Sequence, residues 1–403
     1  MTPSPYRFNR RLLLLAAVAS LAALLALPAA SPAAKRKVPF GFFGTTLNPE
    51  MTDPATVSDG ALEQQAALMA RSGVETVRIT FGSSVIEPAR GSYDWGRLDR
   101  VIAAAARHRV AVLANLTQPT RWNVSNPADP EWRRYPPLDP APWAEMMRQA
   151  VLRYGPNGTF WAQNPGLPKV PVRQWQIWNE QTAPWHWNSR PWAPSYTALL
   201  KATYQAIKSA DSGARVVAGS LVAFGSNYAQ WDGIRDLYRA GAKRYFDVVA
   251  VHPFTNNSVS VSDTAARTVQ IIGRVRTQMR SRGDGRKPII LTEMTWPASK
   301  GKVPEAGELH FSVTPRGQKA RLEAAYAQLI RARTKLRITQ AHWYTWATPY
   351  DQSSALSVVS FRYSGLNRIQ GGSFTRMPLL GTYTGVARRY QGCRKSANAR
   401  RCR

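Results

Sequence analysis

The stretch Gln174-Trp175-Gln176-Ile177-Trp178-Asn179-Glu180 reads as a β-strand that ends on a carboxylate, and Ile289-Ile290-Leu291-Thr292-Glu293 repeats that arrangement further along the chain. Working outward from these two, short β-rich runs recur from one end to the other. The eight strands expected are Val38 to Leu47, Val74 to Phe81, Val110 to Thr117, Val172 to Glu180, Ala214 to Val222, Phe246 to Phe254, Lys287 to Thr295 and Ile338 to Trp346. Between them lie helical stretches: Gly60 to Arg71, Trp95 to Arg107, Pro142 to Tyr154, Tyr196 to Ala210, Trp231 to Ala240, Thr264 to Arg280 and Gln318 to Thr334. Each has apolar residues three and four apart, as Leu62, Ala66, Leu68 and Met69 show in the first.

Strands alternating with helices predict an α/β fold with a parallel sheet. Eight such units describe a closed (β/α)8 TIM barrel better than an open doubly wound sheet. No Gly-x-Gly-x-x-Gly turn follows the first strand, which argues against a nucleotide-binding fold. The connections are unequal: Gln118 to Pro140, Gln181 to Pro194, Pro297 to Pro315 and Ala347 to Pro378 are long and aromatic, whereas segments entering strands are short. Barrels build their sites from the loops at the C-terminal strand ends, so Trp122, Trp132, Trp185, Trp187 and Trp192 fall on that rim. Indole faces there suit stacking on sugar rings, and about half of the five are expected to pack the loops down instead.

Acetal cleavage needs a carboxylic acid to protonate the leaving oxygen and a carboxylate on the opposite face of the anomeric carbon, about 5 to 5.5 Å apart when configuration is retained. A glutamate at the end of strand 4 and another at the end of strand 7 can supply that pair. Either one alone reads better as a salt-bridge partner. His252 reads equally as a satisfied core histidine or a site residue. His186, His252, His310 and His342 lack metal-ligand spacing, so no metal and no cofactor are expected, and no Gly-x-Ser-x-Gly elbow points to a serine hydrolase.

Trp178-Asn179-Glu180 and Thr292-Glu293 resemble the acid/base and nucleophile signatures of glycoside hydrolase clan A, the "4/7" barrels, over nearly the whole chain in order. The resemblance implies a retaining O-glycosidase with Glu180 as acid/base and Glu293 as nucleophile. It further implies that Arg78 supports the nucleophile's charge and that Asn179 bonds the sugar 2-hydroxyl. His252, Trp122, Trp296 and Trp346 are the remaining substrate-binding residues it suggests, with Trp346, or else Trp343, as the strand-8 platform under the sugar. Pro88-Ala89-Arg90-Gly91-Ser92-Tyr93-Asp94-Trp95 resembles the segment after strand 2 in families 39, 42 and 5, and Asp247 to His252 resembles strand 6 of family 39 relatives. Two departures stand out. The clan's tyrosine two residues after the strand-6 histidine is Phe254, leaving Tyr228 or Tyr344 as alternative donors, and Gln181 replaces the proline common in family 39. The competing reading is a non-catalytic barrel that binds carbohydrate or cell-wall polymer.

Arg7, Arg10 and Arg11 precede the apolar run Leu12 to Leu27, followed by small residues and prolines, which is the plan of a secretory leader over residues 1–34. Residues 35–386 are then one catalytic domain and 387–403 a basic tail, and the protein is expected to be a secreted monomer. Cys393 and Cys402 are the only cysteines, and an oxidising compartment predicts their pairing in one small terminal ring. The formal charge is +30, and +27 remains without the three leader arginines. Such a field favours acidic polysaccharide, cell-wall polymer or another anionic partner; a solvated basic surface is the competing reading. No nucleic-acid-binding motif accompanies it.

Overall fold

The computed structural model describes Met1 and residues 36–222, 228–256, 259–349 and 356–392, with backbone alone at 228–230 and 356–358. The expected leader, the Tyr228 side chain, Cys393 and Cys402 lie outside the described residues. Eight parallel strands pair in sequence order and close on themselves: β1 (Phe43–Leu47), β2 (Thr76–Gly82), β3 (Ala111–Thr117), β4 (Gln174–Ile177), β5 (Arg215–Val222), β6 (Val248–His252), β7 (Ile289–Met294) and β8 (Ile338–Trp343). The seam is β1 on β8, with Phe43 opposite Ala341 and Thr45 opposite Trp343. A main helix follows each strand: α1 (Asp59–Arg71), α2 (Gly96–Arg107), α3 (Pro140–Tyr154), α4 (Trp192–Ala210), α5 (Ile234–Arg239), α6 (Val261–Ser281), α7 (Pro315–Leu336) and α8 (Pro378–Gln391), with short extra helices at Pro49–Thr52, Ser83–Ile86 and Thr159–Gln163.

The helices start where the sequence can cap them. Ser58, Asp139, Ser260 and Thr314 each accept a hydrogen bond from a backbone amide in the first turn of α1, α3, α6 and α7. Strand residues are buried almost throughout because helices cover one face and the barrel interior takes the other. Leu113, Val217, Val248, Ala250 and Ile290 form a separate apolar cluster from inward-facing positions. Toward the C-terminal strand ends the interior turns polar: Arg78, Asn115, Gln176, His252, Thr292 and His342 are all buried there. Among the described residues, no helix is long and apolar enough to cross a membrane.

Two features differ from expectation. The segment Ala347 to Pro378, read as a loop, folds in part into a three-stranded sheet of β9 (Ala347–Pro349), β10 (Asn367–Gln370) and β11 (Ser373–Arg376). The β10–β11 turn is Gly371-Gly372, both at positive φ, a hairpin signal visible in the sequence. Helix α8 crosses the expected domain boundary at residue 386. It packs Ala387 against the barrel and sends the Gln391 side-chain amide to the Gly73 carbonyl at 2.7 Å.

Candidate active site

β4 stops at Ile177, so Glu180 lies in the turn beyond the strand rather than closing it. Trp178 and Glu180 have φ of 72° and 47°, left-handed conformations that cost a non-glycine residue about 1–3 kcal/mol. The surroundings impose them. Tyr196 of α4 donates its hydroxyl to the Ile177 carbonyl (2.8 Å) and accepts from the Gly219 amide (2.6 Å). The Trp178 amide donates to the Leu116 carbonyl (2.9 Å). Its indole, buried beside Trp143 and Trp187, donates to the His186 carbonyl (2.8 Å). Trp178 is thus an anchor facing away from the mouth, and the turn it fixes delivers Asn179 and Glu180 into it.

Glu293 arrives by a different irregularity. The β7–β8 register shifts between Leu291 and Met294, so Thr292 and Glu293, which strict alternation would send to opposite faces, both contribute to the mouth. Arg78 of β2 sits between the two halves, fully buried, and spends its guanidinium on three acceptors: Gln176 Oε1 (2.8 Å), Asn179 Oδ1 (2.7 Å) and Glu293 Oε1 (2.7 Å). Glu293 therefore has a direct countercharge. Glu180 instead faces two imidazoles, His252 Nδ1 at 2.6 Å from Oε1 and His186 Nε2 at 3.1 Å from Oε2. The far nitrogen of His252 contacts Thr292 Oγ1 (2.9 Å) and lies 3.8 Å from Glu293. One carboxylate oxygen of each glutamate and one ring nitrogen of His252 lie within 4.8 Å of one another.

Burial by itself would raise the Glu180 carboxyl, but the hydrogen bonds and charges of His186 and His252 more than reverse this and hold it well below the usual carboxylate range. His342, buried in the interior and repelled by the Arg78 charge, is lowered to about 3 and stays neutral. Burial pushes the Tyr344 phenol up, and the Glu293, Glu50 and Glu180 carboxylates add to the shift. Tyr344 therefore keeps its proton.

The structure brings Arg78, Asn179, Glu180, His252 and Glu293 together. It does not bring Trp346 or Trp296 with them. Trp346 is fully buried and donates to Gln65 Oε1 (3.0 Å), and Trp296 is fully buried and donates to the Thr255 carbonyl (3.2 Å) while packing on Trp343. Neither presents a ring face to a ligand, and Trp343 is buried too. The strand-8 aromatic that borders the mouth is Tyr344, partly exposed, bonded through its amide to the Met294 carbonyl (3.1 Å) and edge-on to Phe361. Of the rim tryptophans, Trp132 and Trp187 are buried, Trp185 is 45% exposed, and Trp122 and Trp192 are partly exposed. Arg90 lies over the Trp122 ring at 5.9 Å. Spacing gives no sign of His186, because its approach to Glu180 depends on the left-handed backbone at Trp178 and Glu180. A metal ion would find Glu180, His252 and Glu293 converging, but Arg78 already supplies positive charge at that place.

Residues 51–137 match the profile of glycoside hydrolase family 42, described as beta-galactosidase. This segment holds Arg78, Trp95 and Trp122 but neither glutamate of the pair. No curated protein sequence matches the chain. Among solved structures, a family 39 glycoside hydrolase from Bacteroides cellulosilyticus is 16% identical, with a TM-score of 0.58 over 87% of this chain and 64% of that one. An exo-β-1,4-mannosidase from an Opitutaceae bacterium is also 16% identical, with a TM-score of 0.58 over 90% and 62%. A family 5 protein from Bifidobacterium longum, in complex with Manβ1-4GlcNAc, is 16% identical, with a TM-score of 0.57 over 87% and 78%. The chain thus spans less than two thirds of the length of the first two. In its barrel along most of its length, and in sequence over residues 51–137, the chain is similar to the glycoside hydrolases of clan A.

Proposed function

We propose that this protein is a secreted retaining glycoside hydrolase that cleaves O-glycosidic bonds of an extracellular poly- or oligosaccharide. The observation that carries the reading is the pairing of two carboxylates, oxygens within 4.8 Å, with different partners. That approach favours the spacing of about 5–5.5 Å used in double displacement over the about 6.5–9.5 Å that leaves room for an activated water. Glu293, steadied by Arg78, is the nucleophile that attacks the anomeric carbon. Glu180 is the acid/base, held in place by the imidazoles of His252 and His186. His186 is the partner that yields to substrate, because its side chain is 39% exposed whereas His252 is fully buried. Asn179, oriented by Arg78, meets the sugar 2-hydroxyl, and Trp122 offers a partly exposed ring on the rim.

The proteins to which the chain is similar include ones named as a β-galactosidase family and a β-mannosidase, so a panel of aryl β-glycosides is the appropriate first screen. On the member that is turned over, proton NMR of the first-formed sugar should show the β-anomer before mutarotation. An α-anomer, or no turnover of any member, refutes the reading.

A further inference from the structure

Strands β4 and β5 begin as an ordinary parallel ladder, with the Arg215 amide on the Arg173 carbonyl at 2.8 Å and Gln174 to Ile177 opposite Arg215 to Ala218. Ladder bonds of a parallel pair recur at every second residue, so this register calls for the Gly219 amide to meet the Ile177 carbonyl. The Tyr196 hydroxyl of α4 stands between them instead, accepting from the Gly219 amide at 2.6 Å and donating to the Ile177 carbonyl at 2.8 Å. One phenol oxygen thus satisfies both groups of the last rung while holding them apart, and β4 ends there.

Both strands leave regular geometry at that point. β4 passes into the left-handed residues Trp178 and Glu180. β5 takes up one extra residue against β6 between Ala218 and Leu221, a bulge that contains Gly219 and Ser220. The bulge meets the turn: the Gln181 carboxamide donates to the Gly219 carbonyl at 3.3 Å, and the Ser220 hydroxyl accepts from the Glu180 amide at 3.3 Å and donates to Asn179 Oδ1 at 3.4 Å. Residue 219 has no room for a side chain, because a Cβ there would lie 2.1 Å from Gln181 Oε1 and 2.9 Å from the Ile177 carbonyl oxygen. Tyr196, Gln181 and Ser220 are fully buried. The Tyr196 ring is fixed independently of its hydroxyl, edge-on to Trp187 at 5.5 Å, which is in turn edge-on to Trp178 at 4.8 Å.

We infer that Tyr196 is a positioning residue for the acid/base, a role that rests on the glycosidase reading: its hydroxyl, inserted in the last rung between β4 and β5, keeps the turn that carries Glu180 out of the sheet. Without it the Gly219 amide can close directly on the Ile177 carbonyl, which lengthens β4 by a rung and draws Glu180 from its place; a shift of about 1 Å can cost an oriented catalytic group about 10²-fold. The test is kcat/KM of the full-length protein on glycosides of the sugar that the wild type accepts, with leaving groups running from dinitrophenol, which departs without a proton, to phenol and a second sugar, which need the acid. Tyr196→Phe keeps the ring and should lose about tenfold or more with phenol and sugar leaving groups but less than about threefold with dinitrophenol. Ser220→Ala leaves the rung intact and should show the same bias to a smaller extent. Tyr383→Phe is the control, since it removes another fully buried hydroxyl, one that donates to the Gly44 carbonyl at 3.1 Å; it should lower the melting temperature with no bias among leaving groups. Equal losses across leaving groups in Tyr196→Phe, or the same bias in Tyr383→Phe, would overturn the role of Tyr196 and leave the glycosidase reading standing. If Tyr196→Phe does not fold, Ser220→Ala decides, and a loss without bias overturns the role. A wild type that turns over none of the glycosides would instead sink the glycosidase reading, and the role of Tyr196 with it.

Discussion

Glu180 leans on two imidazoles and Glu293 on a buried guanidinium, and the two should fail differently when removed. On the proposed roles, Glu293→Ala deletes the attacking group and leaves the buried Arg78 without its carboxylate partner. Turnover should be lost with every leaving group. Glu180→Ala removes assistance worth about 10² to 10⁴-fold; an activated aryl glycoside should still glycosylate the enzyme, stall there, and be released by azide as a product of unchanged anomeric configuration. Steady-state rates across leaving groups check both, and near-normal turnover by Glu293→Ala would show the roles to be misassigned. His342 makes a second residue-scale prediction. Its folded value of about 3 lies below the ordinary 6.5, so between those pH values the unfolded chain binds a proton that the folded chain does not. Stability should therefore fall as pH drops below 6.5, by about 1.4 kcal/mol per pH unit for this one group. His310, also lowered by burial, shares that window. Glu180, lowered instead from 4.5, loses its stabilising contribution only at more acidic pH, whereas Glu75 and Glu87, raised from 4.5 by burial, act in the opposite sense above pH 4.5, so the comparison with a His342 variant is what isolates the histidine. Urea denaturation of His342→Gln between pH 4.5 and 6.5 should show a pH slope smaller by nearly one proton; an unchanged slope would mean that His342 is charged in the folded barrel.

At the scale of the element, strand β1 shows how the interior constrains sequence. A Cβ added at Gly44 would lie 2.6 Å from His342 Nδ1, against ring atoms that have little room to retreat, whereas one added at Gly60 in α1 would meet nothing within 4 Å. Gly44→Ala should therefore destabilise by about 1–3 kcal/mol, and Gly60→Ala should stabilise by about 0.5–1 kcal/mol through helix propensity. Equal effects of the two in urea denaturation would contradict the packing. The strands themselves were legible because a barrel strand buried on both faces is a short β-rich run bounded by polar segments, and all eight such runs are strands here. The glutamates were legible because each follows such a run. What the sequence concealed depends on contacts made far along the chain. Trp346 and Trp296 look like rim aromatics until Gln65 of α1 and the Thr255 carbonyl claim their indoles. Tyr344 becomes the mouth's aromatic only through the backbone bond to Met294 at the end of the neighbouring strand. His186 reaches Glu180 only because Tyr196 and Trp178 hold a left-handed turn.

At the scale of the whole molecule, the last helix ties onto the first strand beside the β1–β8 seam, and this sets where the chain can be cut. The Tyr383 hydroxyl of α8 donates to the Gly44 carbonyl at 3.1 Å, and the Lys37 amide donates to the Tyr390 carbonyl at 2.8 Å. Gln391 reaches the Gly73 carbonyl, and Ala387 is fully buried. Removing residues 387–403 takes away three of these contacts and leaves the Gly73 carbonyl, a buried acceptor, without its partner, a loss of about 1–3 kcal/mol for that group alone. Removing only residues 393–403 takes away Arg394, Lys395, Arg400, Arg401 and Arg403 together with Cys393 and Cys402, and leaves the contacts of Tyr383, Ala387, Tyr390 and Gln391 in place. That deletion also lowers the net charge by five, which reduces the self-repulsion of a strongly basic chain. The expected result in calorimetry is a melting temperature close to wild type for the chain ending at Gly392 and a fall of several degrees for the chain ending at Val386. Equal melting temperatures for the two truncations would show that the last turn of α8 contributes nothing to closure. A large fall for the longer one would show instead that the cysteine-bearing tail is part of the barrel's stability.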